Sequence, residues 1–332
     1  MTIRNRKELS ALAAERLQTA PQSSKIALIY AAVVIGLSVI SAVVDYLLGQ
    51  QIDQSGGLRN IGLRTTLAAL QTMLPLIQSA VMMCMELGYM AAMLRVARGQ
   101  YTSPNTLRLG FDRFWVLLRY TLIENMIVIG FGFASMYLGV MIFLLTPLSS
   151  SVVELLMPYI GQTSLLTGTA VTLPEEVYAA VANALWPAFI LCGIIYLVSA
   201  VPTLFRLRMV RYVLIDKPAL GAFAAIRESR LMMHRNCLNL LKLDLHLWWY
   251  YALSVLASVI CYGDQILPMV GIELPMSRDV SFFLFYAIYW ALQFMIFYRL
   301  RNRLAVTYAL AYDSIRPQET DSGVVLGNIF QI

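Results

Sequence analysis

Charged residues are scarce in this sequence. Asp, Glu, Lys and Arg make up only 13% of its 332 residues, whereas hydrophobic residues make up 59%. A soluble domain usually carries about 25% charged residues, so this chain has too few of them to cover a surface in water. Several apolar runs reach the roughly 20 residues with which an α-helix crosses a bilayer. The composition predicts an all-α, integral membrane helical bundle.

Residues that carry redox and metal chemistry are also few. The sequence has four cysteines with no CxxC pair, and two histidines with no HExxH context. Neither a disulfide framework nor a zinc site is expected from this spacing. His234 and His246 are interpreted as side chains at the membrane interface. We therefore predict no catalytic residue, no metal site and no cofactor.

Two short matches to intramembrane protease motifs are incomplete. Glu175 and Glu176 open an EExxxR pattern, but Ala180 stands in its last position. Gly263 and Asp264 match the end of a GxGD pattern whose first glycine is replaced. Neither match supports a protease.

The first 20 residues contain no apolar core, so no cleavable signal peptide is expected. Leucines and Ala13 recur at helical spacing, which predicts that residues 1–24 form a cytoplasmic amphipathic segment. The remaining chain divides into a six-span membrane domain, residues 25–312, and a polar cytoplasmic tail, residues 313–332. The predicted spans are about 25–48, 63–94, 114–145, 184–204, 243–267 and 280–298.

Basic residues predict the orientation of these spans. If the spans alternate in direction, 22 of the 25 Lys and Arg residues fall on one side, and Arg59, Arg64 and Arg278 fall on the other. Basic loops favour the cytoplasmic side. We therefore predict that both termini are cytoplasmic and that residues 146–182, which contain no Lys or Arg, are extracytoplasmic. The expected location is the cytoplasmic membrane of a bacterium.

The stretch 202–246 joins two apolar runs and contains eight basic residues. Within it, residues 218–234 predict an amphipathic helix, with Phe223 and Leu231 on the apolar side. Asp216 is expected to cap this helix. The helix would either lie in the head-group region, attracting anionic lipid, or cap the bundle from the cytoplasm.

Lipids, anionic ones in particular, are the expected partners, with a membrane protein or a second copy of the chain as another candidate. The basic charge lies beside apolar runs, so nucleic acid is not an expected partner. The candidate lipid-facing residues are Arg206, Arg208, Arg211, Arg227, Arg230 and Arg235.

Glu86 and Glu124 are acids within apolar runs. Glu86 lies about 13–15 Å along its helix from Arg95, and Glu124 lies about as far from Phe114, at 1.5 Å per residue. Both reference residues are expected near the cytoplasmic side, so neighbouring antiparallel spans would bring the two acids to the same depth in the membrane. Arg119 is a candidate partner for either acid. These three residues form a candidate intramembrane polar site. One interpretation is a proton-linked or cation-binding site, and the other is a structural polar contact.

Two stretches resemble a family of uncharacterised polytopic membrane proteins from Gram-positive, mostly anaerobic bacteria. The first is VRYVLIDKPALGAFAAIRESRLMMHRNCLNLLKLDLHLWW, with its Asp216–Lys217–Pro218 turn, and the second is GYMAAMLRVARGQYTSPNTLRLGF. His234–Arg235 departs from the glycine and basic residue typical of the family. The resemblance covers most of residues 85–312, and the family is distantly similar to the membrane portion of glycerophosphodiester phosphodiesterases. It implies an architecture but brings no established activity.

Three functions remain open from the sequence. The first is a non-enzymatic scaffold, assembly or regulatory component that acts through lipids or partner helices. The second is a small-molecule or lipid permease that uses Glu86 and Glu124. The third is an enzyme of lipid head groups, which rests only on the distant resemblance.

Overall fold

The computed structural model describes residues 5–54, 61–160, 174–263, 266–267 and 277–316. All regular structure in these ranges is helical, and no strand occurs among them. The predicted all-α class is confirmed. The helices are α1 (Arg6–Thr19), α2 (Gln22–Gln54), α3 (Ile61–Ala97), α4 (Leu109–Asp112), α5 (Phe114–Leu144), α6 (Pro147–Ile160), α7 (Glu175–Leu207), α8 (Val210–Asp216), α9 (Ala222–Met233), α10 (Cys237–His246), α11 (Trp248–Cys261), α12 (Arg278–Ile296) and α13 (Asn302–Ile315).

Five stretches are long and apolar enough to cross a membrane, which indicates a membrane protein. A sixth crossing is counted if α10 and α11, which are bent by 62° relative to each other, form one span. The five stretches are Gln22–Gln51, Thr65–Ala97, Phe114–Leu144, Ala179–Asp216 and Val280–Ile315.

The predicted fifth span, 243–267, is therefore not one straight helix. Leu247 separates α10 from α11, and its amide is shared between the carbonyl groups of Leu243 and Asp244. Such a shared hydrogen bond is common where an α-helix ends. The run of aromatic residues from Trp248 then begins the new helix.

The helix that contains the predicted sixth span, 280–298, continues beyond that span. The chain continues from α12 through a π-helical turn, Phe297–Arg301, into α13. Most of α13 is buried, with Val306, Ala309 and Tyr312 fully so. The arginines at 299–303 resemble the end of a span, but the helix passes through them because the protein supplies partners for the charge.

The chain forms two compact units, residues 120–207 and the remainder. In the smaller unit, α5 and α7 lie antiparallel. The Tyr120 hydroxyl donates to the Leu207 carbonyl at 3.5 Å. Further along, a Cβ atom on Gly139 would lie 2.1 Å from the Cys192 sulfur, so only glycine permits this approach of the two helices.

The larger unit has a closely packed base, made of α1, residues 22–34 of α2, residues 84–97 of α3, α8, α9, α10 and α13. Its core includes Ile26, Ala92, Leu94, Val213 and Ala309, all 1% exposed or less. Beyond the base, α2, α3 and α12 expose large apolar side chains, such as Ile40, Leu76 and Leu284. Exposed apolar surface on this scale is typical of helices that face lipid.

Backbone contacts hold α3 against the segment that follows it. A 3₁₀ helix, Pro104–Arg108, and α4 lie along its last turns. A Cβ on Gly110 would lie 1.9 Å from the Cys84 carbonyl oxygen, and a Cβ on Gly88 would lie 2.3 Å from that of Leu107. These two glycines let the backbones touch directly.

Candidate functional site

Polar side chains join α3 to α13, and the paired residues keep nearly the same separation along the chain. Both helices run in the same direction, because partners on α13 lie 213–215 residues after those on α3 at each level. Twelve residues separate the first level from the last, which is about 18 Å along a helix. The paired residues are Glu86 and Arg301, Tyr89 and Asn302, and Arg98 and Asp313.

Asp216 lies at the end of this series, in what we call the Asp216 clamp. Its carboxylate is 10% exposed and pairs with Arg98 at 2.9 Å and with Arg316 at 2.7 Å. The Tyr312 hydroxyl donates to it at 3.2 Å. Arg98 also pairs with Asp313 at 2.7 Å. The clamp thus joins the ends of α3, α8 and α13.

The expectation that Asp216 caps the following helix is wrong. Asp216 is the last residue of α8, and the N-cap of α9 is Gly221, which has no side-chain cap. The carboxylate is instead engaged by the two arginines, which bind it through charge-assisted hydrogen bonds.

The clamp keeps Arg98 charged. Burial alone would lower the pKa of its guanidinium, but its hydrogen bonds to Asp313 and Asp216 raise the pKa above the ordinary value. Arg98 is therefore a fixed positive charge between the side chains of Asp216 and Asp313.

A second polar group surrounds Asp244 of α10. Arg208 pairs with Asp244, and the Tyr308 hydroxyl donates to the same carboxylate. The Tyr251 hydroxyl lies 2.9 Å from the Tyr308 hydroxyl and accepts from Arg208 at 3.1 Å. This group joins the turn between α7 and α8 to α13 and to the bent pair α10–α11.

A third polar group surrounds Glu86. Its carboxylate lies 2.7 Å from Arg211 and 3.6 Å from Arg301. Arg301 belongs to the π-helical turn, a kind of turn that occurs often at functional sites. Its guanidinium carbon lies 4.4 Å from the ring centre of Phe297 and 5.3 Å from that of Tyr30. One acid and two arginines leave this group with an excess positive charge. We call the three groups together the charged layer.

The structure places the other two members of the predicted intramembrane site as follows. Arg119 is exposed on α5. Glu124 is half-buried on α5, in the smaller unit, and it has an interaction there. The partners observed for Glu86 are Arg211 and Arg301. A shared site of Glu86 and Glu124 stays a prediction.

The helix predicted over 218–234 is α9, but the face that packs against the protein differs from the apolar side predicted. Small residues and Ile226 form that face: Ala222, Ala225, Ile226, Ser229 and Met233 are buried. Phe223 is 75% exposed and Leu231 is 60% exposed. Close helix packing favours the small side chains, whereas Phe223 and Leu231 point outward. Helix α9 thus packs on the protein and also presents an apolar face, and its position in the head-group region stays a prediction.

Helix α10 continues this exposure. Leu238, Leu241, Lys242 and Leu245 are exposed at positions i, i+3, i+4 and i+7, and therefore form one stripe. We give the name outward face to a set of exposed residues of the two helices and the turn between them. It consists of Phe223, Arg227, Arg230, Leu231, Arg235, Leu238, Leu241, Lys242 and Leu245.

In this part of the chain the acidic residues are paired within the protein, whereas the outward face carries basic residues. Residues 208–250, all of which the structure describes, contain three acids, and each is paired with a cation of the protein. The pairs are Asp216 with Arg98 and Arg316, Glu228 with Lys217, and Asp244 with Arg208. The outward face contains no acid and carries four exposed basic residues.

The six candidate lipid-facing arginines fall into two groups. Arg208 and Arg211 form ion pairs in the charged layer. Arg227, Arg230 and Arg235 are exposed on the outward face, and Arg206 is exposed at the end of α7. Contact of any of them with lipid stays a prediction.

The charged layer is rich in hydrogen bonds between its own members. Among the described residues, no three His, Cys, Asp or Glu side chains lie close enough together to hold a metal ion. The layer holds six helices of the larger unit against one another through charge-assisted hydrogen bonds. Such bonds are roughly twice as strong as neutral ones.

Residues 1–304 match a protein family described as "Protein of unknown function (DUF975)". The chain belongs to this family. The predicted membership of an uncharacterised family is confirmed. No curated protein matches the chain, and no solved structure matches it.

The family match covers the whole outward face and the part of the charged layer that lies before residue 304. It ends at residue 304, before the last three residues of α13 that take part in the layer. Tyr308, Tyr312 and Asp313 were missed by sequence reasoning, which assigned them to the end of the membrane domain and the polar tail. Their signal was present, because the tyrosines stand four residues apart and so lie on one side of a helix.

Proposed function

We propose that the chain is a non-enzymatic scaffold or regulatory component of a bacterial cytoplasmic membrane, which binds anionic lipid head groups through its outward face. The sorting of charge carries this proposal. Acids of residues 208–250 are paired within the protein, so the surplus of basic charge is presented outward between exposed apolar side chains. An apolar and basic helix surface is what lies flat on an anionic membrane.

The lengths of the apolar segments support a position of the charged layer at the membrane boundary. From Thr65 to Met85 is about 31 Å of helix, and from Val280 to Tyr298 about 28 Å, at 1.5 Å per residue. Both lengths match a hydrocarbon core of about 30 Å. Glu86 and Arg299 then follow immediately. The base and the outward face would lie beyond this boundary.

The parallel register of α3 and α13 supports six spans. If α2, α3, α5, α7 and the last helix were the only crossings, the second and the fifth would run in opposite directions. Polar pairs between α3 and α13 follow a parallel arrangement instead. Parallel packing requires one further crossing between α7 and α12, and the bent pair α10–α11 is the segment available.

Basic residues at the base favour the cytoplasmic orientation. Each Lys or Arg near an anionic surface contributes about 1 kcal/mol of attraction. The outward face would then lie on the cytoplasmic leaflet, where Phe223 and Leu231 enter the boundary of head groups and acyl chains.

Amide hydrogen exchange in lipid nanodiscs tests this function. We expect residues 222–246 to exchange more slowly in nanodiscs that contain phosphatidylglycerol than in nanodiscs of phosphatidylcholine alone. The double variant Arg230→Gln with Arg235→Gln should lose about 2 kcal/mol of this attraction. Added salt should weaken the effect, because exposed charges are screened.

Arg108→Gln is the matched control, since Arg108 is exposed on the 3₁₀ helix and is not one of the residues of the outward face. It should leave the lipid dependence of residues 222–246 unchanged. Equal exchange in the two lipids, or a full effect in the double variant, would contradict the proposal.

The permease and the head-group enzyme remain lower-ranked proposals. Glu86 lies between two arginines, and this favours a structural reading of that acid over a proton or cation site. The proposed similarity to the membrane portion of glycerophosphodiester phosphodiesterases is the sole support for an enzyme. A membrane-protein partner or a second copy of the chain is compatible with a scaffold and would bind through exposed apolar helix faces.

A further inference from the structure

An apolar groove of about 460 Å³ lies between α11 and α12. Its volume falls within the range of about 300–1,000 Å³ that is usual for small-molecule sites. Ala257 and Ile296, which are 2% and 6% exposed, belong to the packed contact of the two helices. Leu256 and Met295 stand up on either side, at 56% and 61% exposure. The small side chain of Ala257 between larger side chains forms the bottom of the groove.

The residues that line the groove recur at helical spacing along each of the two helices. On α12 and the π-helical turn its lining recurs from Leu292 to Leu300 at helical spacing, which is about 12 Å of helix. Half of a hydrocarbon core of about 30 Å is about 15 Å. The groove therefore extends through most of the depth of one leaflet.

Arg299 lies at the end of the groove nearest the charged layer. Among the described residues that line the groove, it is the one that carries a charge. It is exposed, and Arg301, two residues later, turns inward to Glu86. Arg299 thus marks the level at which lipid phosphate groups would lie, with apolar surface on one side of it.

We propose that this groove binds one acyl chain of an anionic phospholipid, whose phosphate pairs with Arg299. The site differs from the outward face, because it holds the acyl chain rather than the head groups of the surface. The proposal deepens the lipid-directed function, and it rests on that function only for the position of the membrane. Lipid is the occupant favoured here because the groove opens among apolar side chains, such as Leu253 and Leu256, that a membrane would cover.

Native mass spectrometry of the detergent-purified protein, titrated with phosphatidylglycerol or phosphatidylcholine, tests the site. We expect the groove to add one bound lipid to any held by the outward face, with a preference for phosphatidylglycerol at this site of about five-fold, equivalent to about 1 kcal/mol for one arginine. Arg299→Gln should remove the preference of this site, and Arg299→Lys should retain it. Met295→Trp should fill the groove and lower the number of bound lipids by one.

Leu284→Trp is the matched control, because Leu284 is exposed on the same helix and lies outside the groove. It should leave the number of bound lipids unchanged. An unchanged number of bound lipids in Met295→Trp overturns the proposal, as does a lipid preference of the groove that Arg299→Gln leaves unchanged. A dimer that Met295→Trp converts to a monomer also overturns it, since the groove would then be an interface between two copies.

Discussion

Replacing Asp216 by Asn tests whether the charged layer stabilises the larger unit. The substitution keeps the size of the side chain but removes the charge that Arg98 and Arg316 share. Removing one partner of a buried ion pair typically destabilises by about 3–5 kcal/mol, whereas exposed pairs contribute about 0–1 kcal/mol. Asp216 is 10% exposed, but its two arginines are 23% and 33% exposed.

The expected loss lies between these limits, at about 2–3 kcal/mol. A thermal midpoint shifts by about 2–4 °C for each kcal/mol in a domain of 150–250 residues, so a drop of about 4–12 °C is expected. Asp313→Asn is the matched control. Asp313 is 27% exposed, and in its absence Arg98 still pairs with Asp216. This variant should lose about 1 kcal/mol.

Thermal unfolding in nanodiscs of one lipid composition measures both variants. Combining Asp216→Asn with Arg316→Gln completes a double-mutant cycle, in which residues that touch should be non-additive by at least about 0.5 kcal/mol. The reasoning is refuted if Asp313→Asn destabilises as much as Asp216→Asn, or if the losses of Asp216 and Arg316 simply add.

Three further predictions concern separate parts of the larger unit. Gly110→Ala should destabilise by about 1–3 kcal/mol, because its Cβ would overlap a neighbouring backbone; Gly36→Ala, which meets nothing within 4 Å, should stabilise by up to about 1 kcal/mol in the same thermal assay. Phe223→Asp should leave the thermal midpoint unchanged, since Phe223 is 75% exposed, but should abolish the slower hydrogen exchange of the outward face in anionic lipid; a large loss of stability would show that Phe223 is packed. Glu86→Gln should lower the thermal midpoint because it leaves two arginines facing each other, and Arg211→Gln in the same chain should recover part of the loss. If the second substitution recovers nothing, Glu86 and Arg211 do not interact.

The long apolar helices could be predicted because local composition decides them. A run of about 20 apolar residues has one favourable state in a membrane, whatever its neighbours are. The boundaries of α5 and most of α3 therefore agree with the sequence. The continuation of the last helix beyond residue 298 was not predicted, because Arg299, Arg301 and Arg303 resemble an interface. Their helix continues because Glu86 and Ser10 supply partners for two of them.

The charged layer could not be predicted because its partners are far apart in the chain. Asp216 lies 118 residues from Arg98 and 100 from Arg316. Local rules gave Asp216 the role of a helix cap, since an Asp before a proline near a helix start usually has that role. The face of α9 was misassigned for a related reason. Hydrophobicity favours burying Phe223, but close packing against other helices favours the small side chains of Ala222 and Ala225.

The electrostatics around Glu86 narrow what the charged layer can bind. A proton or cation site requires acids in excess of bases at close range, so that a shared proton or a bound cation is favourable. Glu86 has Arg211 at 2.7 Å and Arg301 at 3.6 Å, and the aromatic rings of Tyr30 and Phe297 further favour the positive charge of Arg301. This balance repels cations and attracts anions. The same sign of charge occurs on the outward face and at Arg299, as the proposed binding of the phosphate groups of anionic lipids requires.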